Sequence, residues 1–220
     1  EDVRATAGEA SGGVTGRAFP AAFNVSRDVN LAALAEQFRN TLRLRQDLRI
    51  REGAFAASVS MAPKGGGVRF TAAGGVKDLV ALRGDETISL KEPASFRMAA
   101  DTAGQKPRLE ALRFDSSFAN LNAQGSVVDF RLDLTADLDN AVRQAEQFLD
   151  LGGLRLKGTA TARLRMNAME QTPDRRLDVN VRLENFELAG ITARSVTERS
   201  MRFNGSAVIT RDAAGLPVAL

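Results

Sequence analysis

The residues best spaced for chemistry are the carboxylates Asp133, Asp137 and Asp139. An Asp-x-Asp pair can hold a calcium ion or divide acid–base work between two groups. No glycine-centred calcium loop surrounds this pair, and an apolar helical stripe begins beside it at Leu138. N-capping by Asp137 or Asp139, with a favourable macrodipole contact, accounts for both without a ligand. Glu36 and Glu146 recur at similar places in two helical patterns, where an exposed helix position explains them better than catalysis. Gly12, Gly13 and Gly16 have the look of a phosphate loop, but no Lys-Ser or Lys-Thr pair comes after them. They read as a loop or the start of a strand. Arg155, Lys157, Arg163 and Arg165 share one parity of a strand. They could make a patch for nucleic acid or anionic lipid. With Asp133, Asp178 and Glu184 as neighbours, a solvated outer face is the preferred reading, and no nucleic-acid partner is expected.

The residues that are missing exclude more. The chain of 220 residues contains no Cys and no His. This removes thiolate and Ser-His-Asp nucleophiles, disulfides and the usual zinc sites. Tyr and Trp are absent too, and the 12 Phe are the only aromatics, so stacking platforms for bases or sugars are poorly supplied. The net charge is +3 with 26% charged residues, so the pI near 9.8 reflects arginines almost matched by acids. No catalytic residue, metal site or cofactor is expected, and the chain reads as a non-enzyme.

The elements that would position any site are mostly strands. Leu31, Leu34, Ala35 and Phe38 fall on one face of a first helix, predicted over 28–38 with Asp28 as its cap. Leu48 and Ile50, then Phe55, Ala57, Val59 and Met61, alternate as strands, and the parity switch between them predicts a bulge near Glu52-Gly53. Pro63 to Gly67 reads as a hairpin loop, and Gly74-Gly75 as a bend or bulge in the return strand. Ile88, Phe96, Leu112 and Leu121 fall in further short strands. Val128 to Leu134 alternates cleanly, and a second helix is predicted over 138–149 with Gly152-Gly153 as its stop. The longest period-two run comes next, from Leu154 to Met166. Leu177 to Leu188, then Met201, Phe203, Val208 and Ile209, supply the last strands.

Two stretches match each other. Glu36-Gln37-Phe38 parallels Glu146-Gln147-Phe148, Leu48 to Arg51 parallels Leu154 to Lys157, and Phe55 to Met61 parallels Ala160 to Met166. Order and type of elements persist while loop lengths drift. The expected organisation is a strand or loop region over 1–27, a β-rich repeat over 28–126 and a second, truncated repeat over 127–220. No signal-peptide pattern and no run of ~18 apolar residues is present. Both termini read as interrupted β pattern, so the chain is expected to be a segment of a longer one.

A sheet of this size has more apolar face than two short helices can cover. It can fold into a sandwich, be closed by missing neighbours, or curl into a trough whose interior holds acyl chains. Methyl-rich walls without polar anchors suit hydrocarbon.

A motif D-(V/L)-(N/D)-x-A-x-x-x-x-E-Q-F, with a glycine-rich strand start after it, stands at Asp139 to Gly158 and more loosely at Asp28 to Gly53. With the long alternating strands after each copy, it resembles the AsmA-like family, relatives of TamB. The resemblance implies a mainly β fold, an elongated, curled antiparallel sheet built of tandem repeats (a groove or half-open barrel), with one short amphipathic helix per repeat. It also implies a periplasmic location, an inner-membrane anchor in a remainder of the chain, and phospholipid transport or outer-membrane biogenesis. It supplies no catalytic residues. Acyl-chain contacts are expected from Leu132, Leu134, Leu154, Leu156, Leu164, Met166, Leu177, Val179, Val181 and Leu183. The alternative is a structural or adhesive β-repeat module that binds another protein through a strand edge.

Overall fold

The computed structural model describes residues 4–7, 22–39, 41, 43–90, 93–102, 107–169, 172, 174–191 and 194–210. The strands are β1 (Arg4–Ala7), β2 (Phe23–Asn30), β3 (Leu48–Lys64), β4 (Gly67–Arg83), β5 (Glu86–Ser89) and β6 (Ser95–Asp101). They continue as β7 (Arg108–Asp115), β8 (Ala119–Ser126), β9 (Phe130–Asp137), β10 (Arg155–Ala168), β11 (Arg175–Ala189) and β12 (Val196–Ile209). Helix α1 (Leu31–Phe38) comes directly after β2, and α2 (Leu138–Glu146) directly after β9. All strands join one open sheet in the order β1-β2-β3-β4-β6-β7-β8-β9-β10-β11-β12, with β5 added beside the end of β4. Every pairing is antiparallel. The protein is therefore mainly β, as the alternation predicts.

The register turns local alternation into a two-faced sheet. Met61, Phe70, Ala100 and Leu109 stand opposite one another across β3, β4, β6 and β7, and Phe130 and Met166 continue that row across β9 and β10. Two residues further along each strand, and three along β7 where the register shifts, lies a second apolar row of Ala72, Met98, Leu112, Ala123, Leu132 and Leu164. With a side-chain period of two, both rows share one face and the intervening charges take the other.

The sheet curls toward its apolar face. β3 and β10 are far apart in strand order, yet the connectors leaving the two helices meet. Leu44 and Leu149 form an antiparallel bridge. Arg45 N–H donates to the Phe148 carbonyl (3.2 Å), and Asp150 N–H to the Arg43 carbonyl (2.9 Å). Phe148 then enters the one compact core, with Leu48, Ala81 and Ile88, all less than a tenth exposed. Outside this cluster the buried apolar residues are only Ala35, Ala123 and Ala189 among those described. Among the described residues, the sheet thus has a packed helical end and a far end without such a plug.

Both helices are shorter than the spans predicted for them, 28–38 and 138–149. Asp28 and Val29 extend β2, paired with Ala56 and Phe55, and the cap is Asn30, whose Oδ1 accepts from Ala32 N–H (2.9 Å) and Ala33 N–H (3.2 Å). Ladder pairing of the β-branched Val29 outcompetes a first helical turn. Asp137 caps α2, accepting from Asn140 N–H (2.9 Å), and Asp139 lies in the first turn. α2 ends at Glu146, before Gly152-Gly153, because Phe148 and Leu149 leave the helix for the core and the bridge. Val128 lies outside β9, which starts at Phe130. The turn between β3 and β4 is only Gly65-Gly66. β4 passes Gly74 and Gly75 without a register shift. A Cβ on Gly74 would meet the Phe96 ring at 2.7 Å, so the glycine makes room for an aromatic across the strand. Gly12, Gly13, Gly16, Pro173 and the Leu216–Leu220 end lie outside the described residues.

The expected bulge at Glu52-Gly53 is present, and it occurs twice. The β3–β4 register slips around Gly53 (φ 145°), opposite Asp78 (φ 50°). The β10–β11 register slips around Gly158 (φ 104°), opposite Asn185 (φ 51°). Each pairs a left-handed glycine with a left-handed Asp or Asn, residue types that tolerate positive φ.

Candidate functional site

An apolar cavity of about 730 Å³ opens at the end away from the helices. Its walls are Met61, Phe70, Ala100, Leu109, Phe130 and Met166, the first apolar row, with Val68 and Val127 beside the turns. These side chains come from six strands, so the cavity exists only because the sheet curls. Its polar groups, Asp101, Thr102, Arg108 and Ser126, belong to strand ends and turns. Thr102 ties β6 to β4 there: its N–H donates to the Val68 carbonyl (2.9 Å), and its Oγ1 accepts from Val68 N–H (3.1 Å). Ser126 N–H donates to the Asp129 carbonyl (2.6 Å), which shapes the turn carrying Val127.

On the outer face of the same end, Lys64 Nζ bridges Glu110 (2.6 Å) and Asp101 (3.0 Å), and Arg69 reaches Glu110 (2.6 Å). The hydrogen bond to Glu110, then that to Asp101, raises the Lys64 pKa. These charges link β3, β4, β6 and β7, and of them only Asp101 also borders the chamber.

Of the residues expected to contact acyl chains, Met166 alone lines the cavity. Leu177 stands opposite it in β11, further along the same row. Leu132, Leu164 and Val179 form part of the second row, and Leu134 and Val181 flank Ala162 in a third. Leu183 faces Ala160 nearer the helices, Leu156 faces Leu188 beyond the Gly158 bulge, and Leu154 precedes β10. All ten are partly buried on the apolar side of the sheet. The wall residues Met61, Phe70, Leu109 and Phe130 are equally strand-like in the sequence. Their distinguishing signal is proximity to turns that lie at one end of the sheet, and that becomes visible only with the strand order known.

The candidate acid–base residues have other partners. Asp137 caps α2, Asp139 lies 3.7 Å from Arg143, and Asp133 lies 3.5 Å from Arg163. Among the described residues, no group of three or more acidic side chains is placed to hold a metal. The basic parity of β10 is interleaved with acids: Lys157 pairs with Glu187 (3.0 Å) and Arg176 with Asp178 (2.9 Å), while Glu184 pairs with Arg182.

Among the described residues, no helix is long and apolar enough to cross a membrane. No protein-family model, curated protein or solved structure matches the chain.

Proposed function

We propose that this chain is a non-enzymatic segment of a cell-envelope protein that binds lipid acyl chains on the apolar face of its curled sheet. The observation that carries the reading is the mostly apolar chamber of about 730 Å³, whose only charged lining residues among those described, Asp101 and Arg108, lie at strand ends. A cavity of that size lies in the range of small-ligand pockets, and walls of Met, Leu, Phe and Ala favour hydrocarbon through shape rather than hydrogen bonding. The resemblance to AsmA-like proteins agrees with it and extends it to phospholipid transport or outer-membrane biogenesis. In that setting the protein is periplasmic and held at the inner membrane by a further segment. Native mass spectrometry after exposure to an envelope lipid extract tests the binding. Adducts with the masses of acyl lipids are expected; ligand-free protein alone, at every lipid ratio, sinks the reading.

A second reading rests on β12. Among the described residues this edge strand has no partner on its outer side, and Val196, Met201, Phe203 and Val208 along it are exposed. Such an edge can accept a strand from another protein. A single-layered sheet with an open apolar chamber favours the lipid reading over it. A stable complex that Phe203→Lys dissolves, with lipid uptake unaffected, would support strand addition instead.

A further inference from the structure

We infer that the chamber is a blind pocket for a single acyl chain, entered tail-first at its far end and floored by Met98, Leu112, Leu132 and Leu164. The inference rests on the acyl-chain reading and narrows it from a through-groove to a pocket of fixed depth.

Three observations carry it. First, the chamber reaches one apolar row and stops. Met61, Phe70, Leu109, Phe130 and Met166 line it, whereas no member of the second row does. That second row lies two residues along most strands, and three along β7, about 6.6 Å deeper. Second, the second row closes partly on itself, with Ala72, Met98, Leu112, Leu132 and Leu164 half-buried. Its small member Ala123 is only 4% exposed, covered by larger neighbours that include Leu112 and Leu132 on the adjoining strands. Third, among the described residues the helical end is packed. Phe148, Leu48, Ala81 and Ile88 pack there, and the Leu44–Leu149 bridge crosses it.

The size of the chamber sets the ligand class. At about 30 Å³ per water-sized group, and with a methylene close to that size, about 730 Å³ holds roughly two dozen such groups. One long acyl chain fits; both chains of a typical phospholipid do not. The polar head of the ligand then stays at the mouth, beside Thr102, Arg108 and Ser126. Selectivity by chain length comes from the floor, because an apolar wall discriminates by volume.

The test is competition between a polarity-sensitive fluorescent fatty acid and the saturated acids from octanoate to octacosanoate, a series that runs past the length the chamber volume allows. For the unmodified chain, affinity should rise with length to a ceiling and then stop rising. Met98→Ala with Leu164→Ala lowers the floor and should move the ceiling to longer acids. Ala72→Met raises the floor and should move it to shorter ones, which keeps the test alive if the double variant fails to fold. Ala100→Phe fills the chamber itself and should weaken every acid by roughly tenfold or more. Phe148→Leu, at the helical end, should leave the length profile unchanged. If the floor variants keep the original ceiling while Ala100→Phe abolishes binding, the blind-pocket inference is wrong and acyl binding stands. A profile that shifts with Phe148→Leu also overturns it, since the helical end would then be part of the path. If the unmodified chain binds none of the acids, the acyl-chain reading itself falls.

Discussion

The helical and far ends of the sheet use the same apolar alternation for opposite purposes. At the helical end, Phe148 leaves α2 and fills the space between β3, β4 and β5, only 8% exposed. At the far end, among the described residues, the same face is left unfilled, and Met61, Phe70, Phe130 and Met166 line an open volume. The difference lies in the connections between strands. At the helical side β2, β9 and β4 lead into α1, α2 and β5, which carry apolar side chains back over the sheet. At the far side β3 closes on β4 through the short Gly65-Gly66 turn, which carries nothing. Among the described residues, a chamber is what remains where the curl persists and no such element covers it.

The sharpest way to break that comparison is to truncate one aromatic at each end. Phe148→Ala should cost about 3–5 kcal/mol, because it empties a packed site. Phe130→Ala, whose ring already faces the chamber, should cost less than half as much. Equal shifts in denaturant midpoint for the two would mean the far end is packed as tightly as the helical one.

The two bulges sharpen the comparison within the helical half. A Cβ on Gly158 would run into the backbone carbonyl oxygens of Glu184 and Asn185, and its φ is 104°. On Gly53 the nearest atom would be the Leu79 side-chain Cδ1, 2.9 Å away, which can give way more cheaply. Gly158→Ala should therefore destabilise by about 1–3 kcal/mol and Gly53→Ala by less, read from thermal midpoints. Caps come next: Asp137→Ala and Asn30→Ala should each cost about 1 kcal/mol.

Much of this architecture is legible in the sequence, and the illegible part has a physical cause. Alternation from Leu154 to Met166 identifies β10, and the parity switch at Glu52-Gly53 locates a bulge, since both are local consequences of the pleat. The chamber is not local. Met61, Phe70, Ala100 and Leu109 become neighbours through registers that depend on turn geometry as well as pattern. The Glu-Gln-Phe match misleads for a related reason. Phe38 ends α1 and is 46% exposed, whereas Phe148 lies past the end of α2 and is buried. Like tripeptides, displaced relative to their helices, meet different surroundings.

The smallest expected effect separates the two ends by pH. At the helical end Asp47 receives two hydrogen bonds from Arg45, each 3.0 Å, and the first cause of its lowered pKa is that contact. A depressed carboxylate contributes stability above its unfolded pKa and loses it as pH falls through the folded value. The Asp47 contribution should therefore disappear in acid, below its ordinary value of 3.8. At the far end Lys64 has its pKa raised by Glu110 and Asp101. Its contribution is complete below the unfolded pKa, near 10.5, and vanishes as pH rises through the higher folded one. Both pairs are solvent-exposed, so the shifts in thermal midpoint will be small. Their signs are the test. Asp47→Asn should narrow the gap between acidic and neutral midpoints, and Lys64→Met the gap between neutral and alkaline ones. A variant that changes the opposite limb would show that its ion pair does not act at the end where it sits.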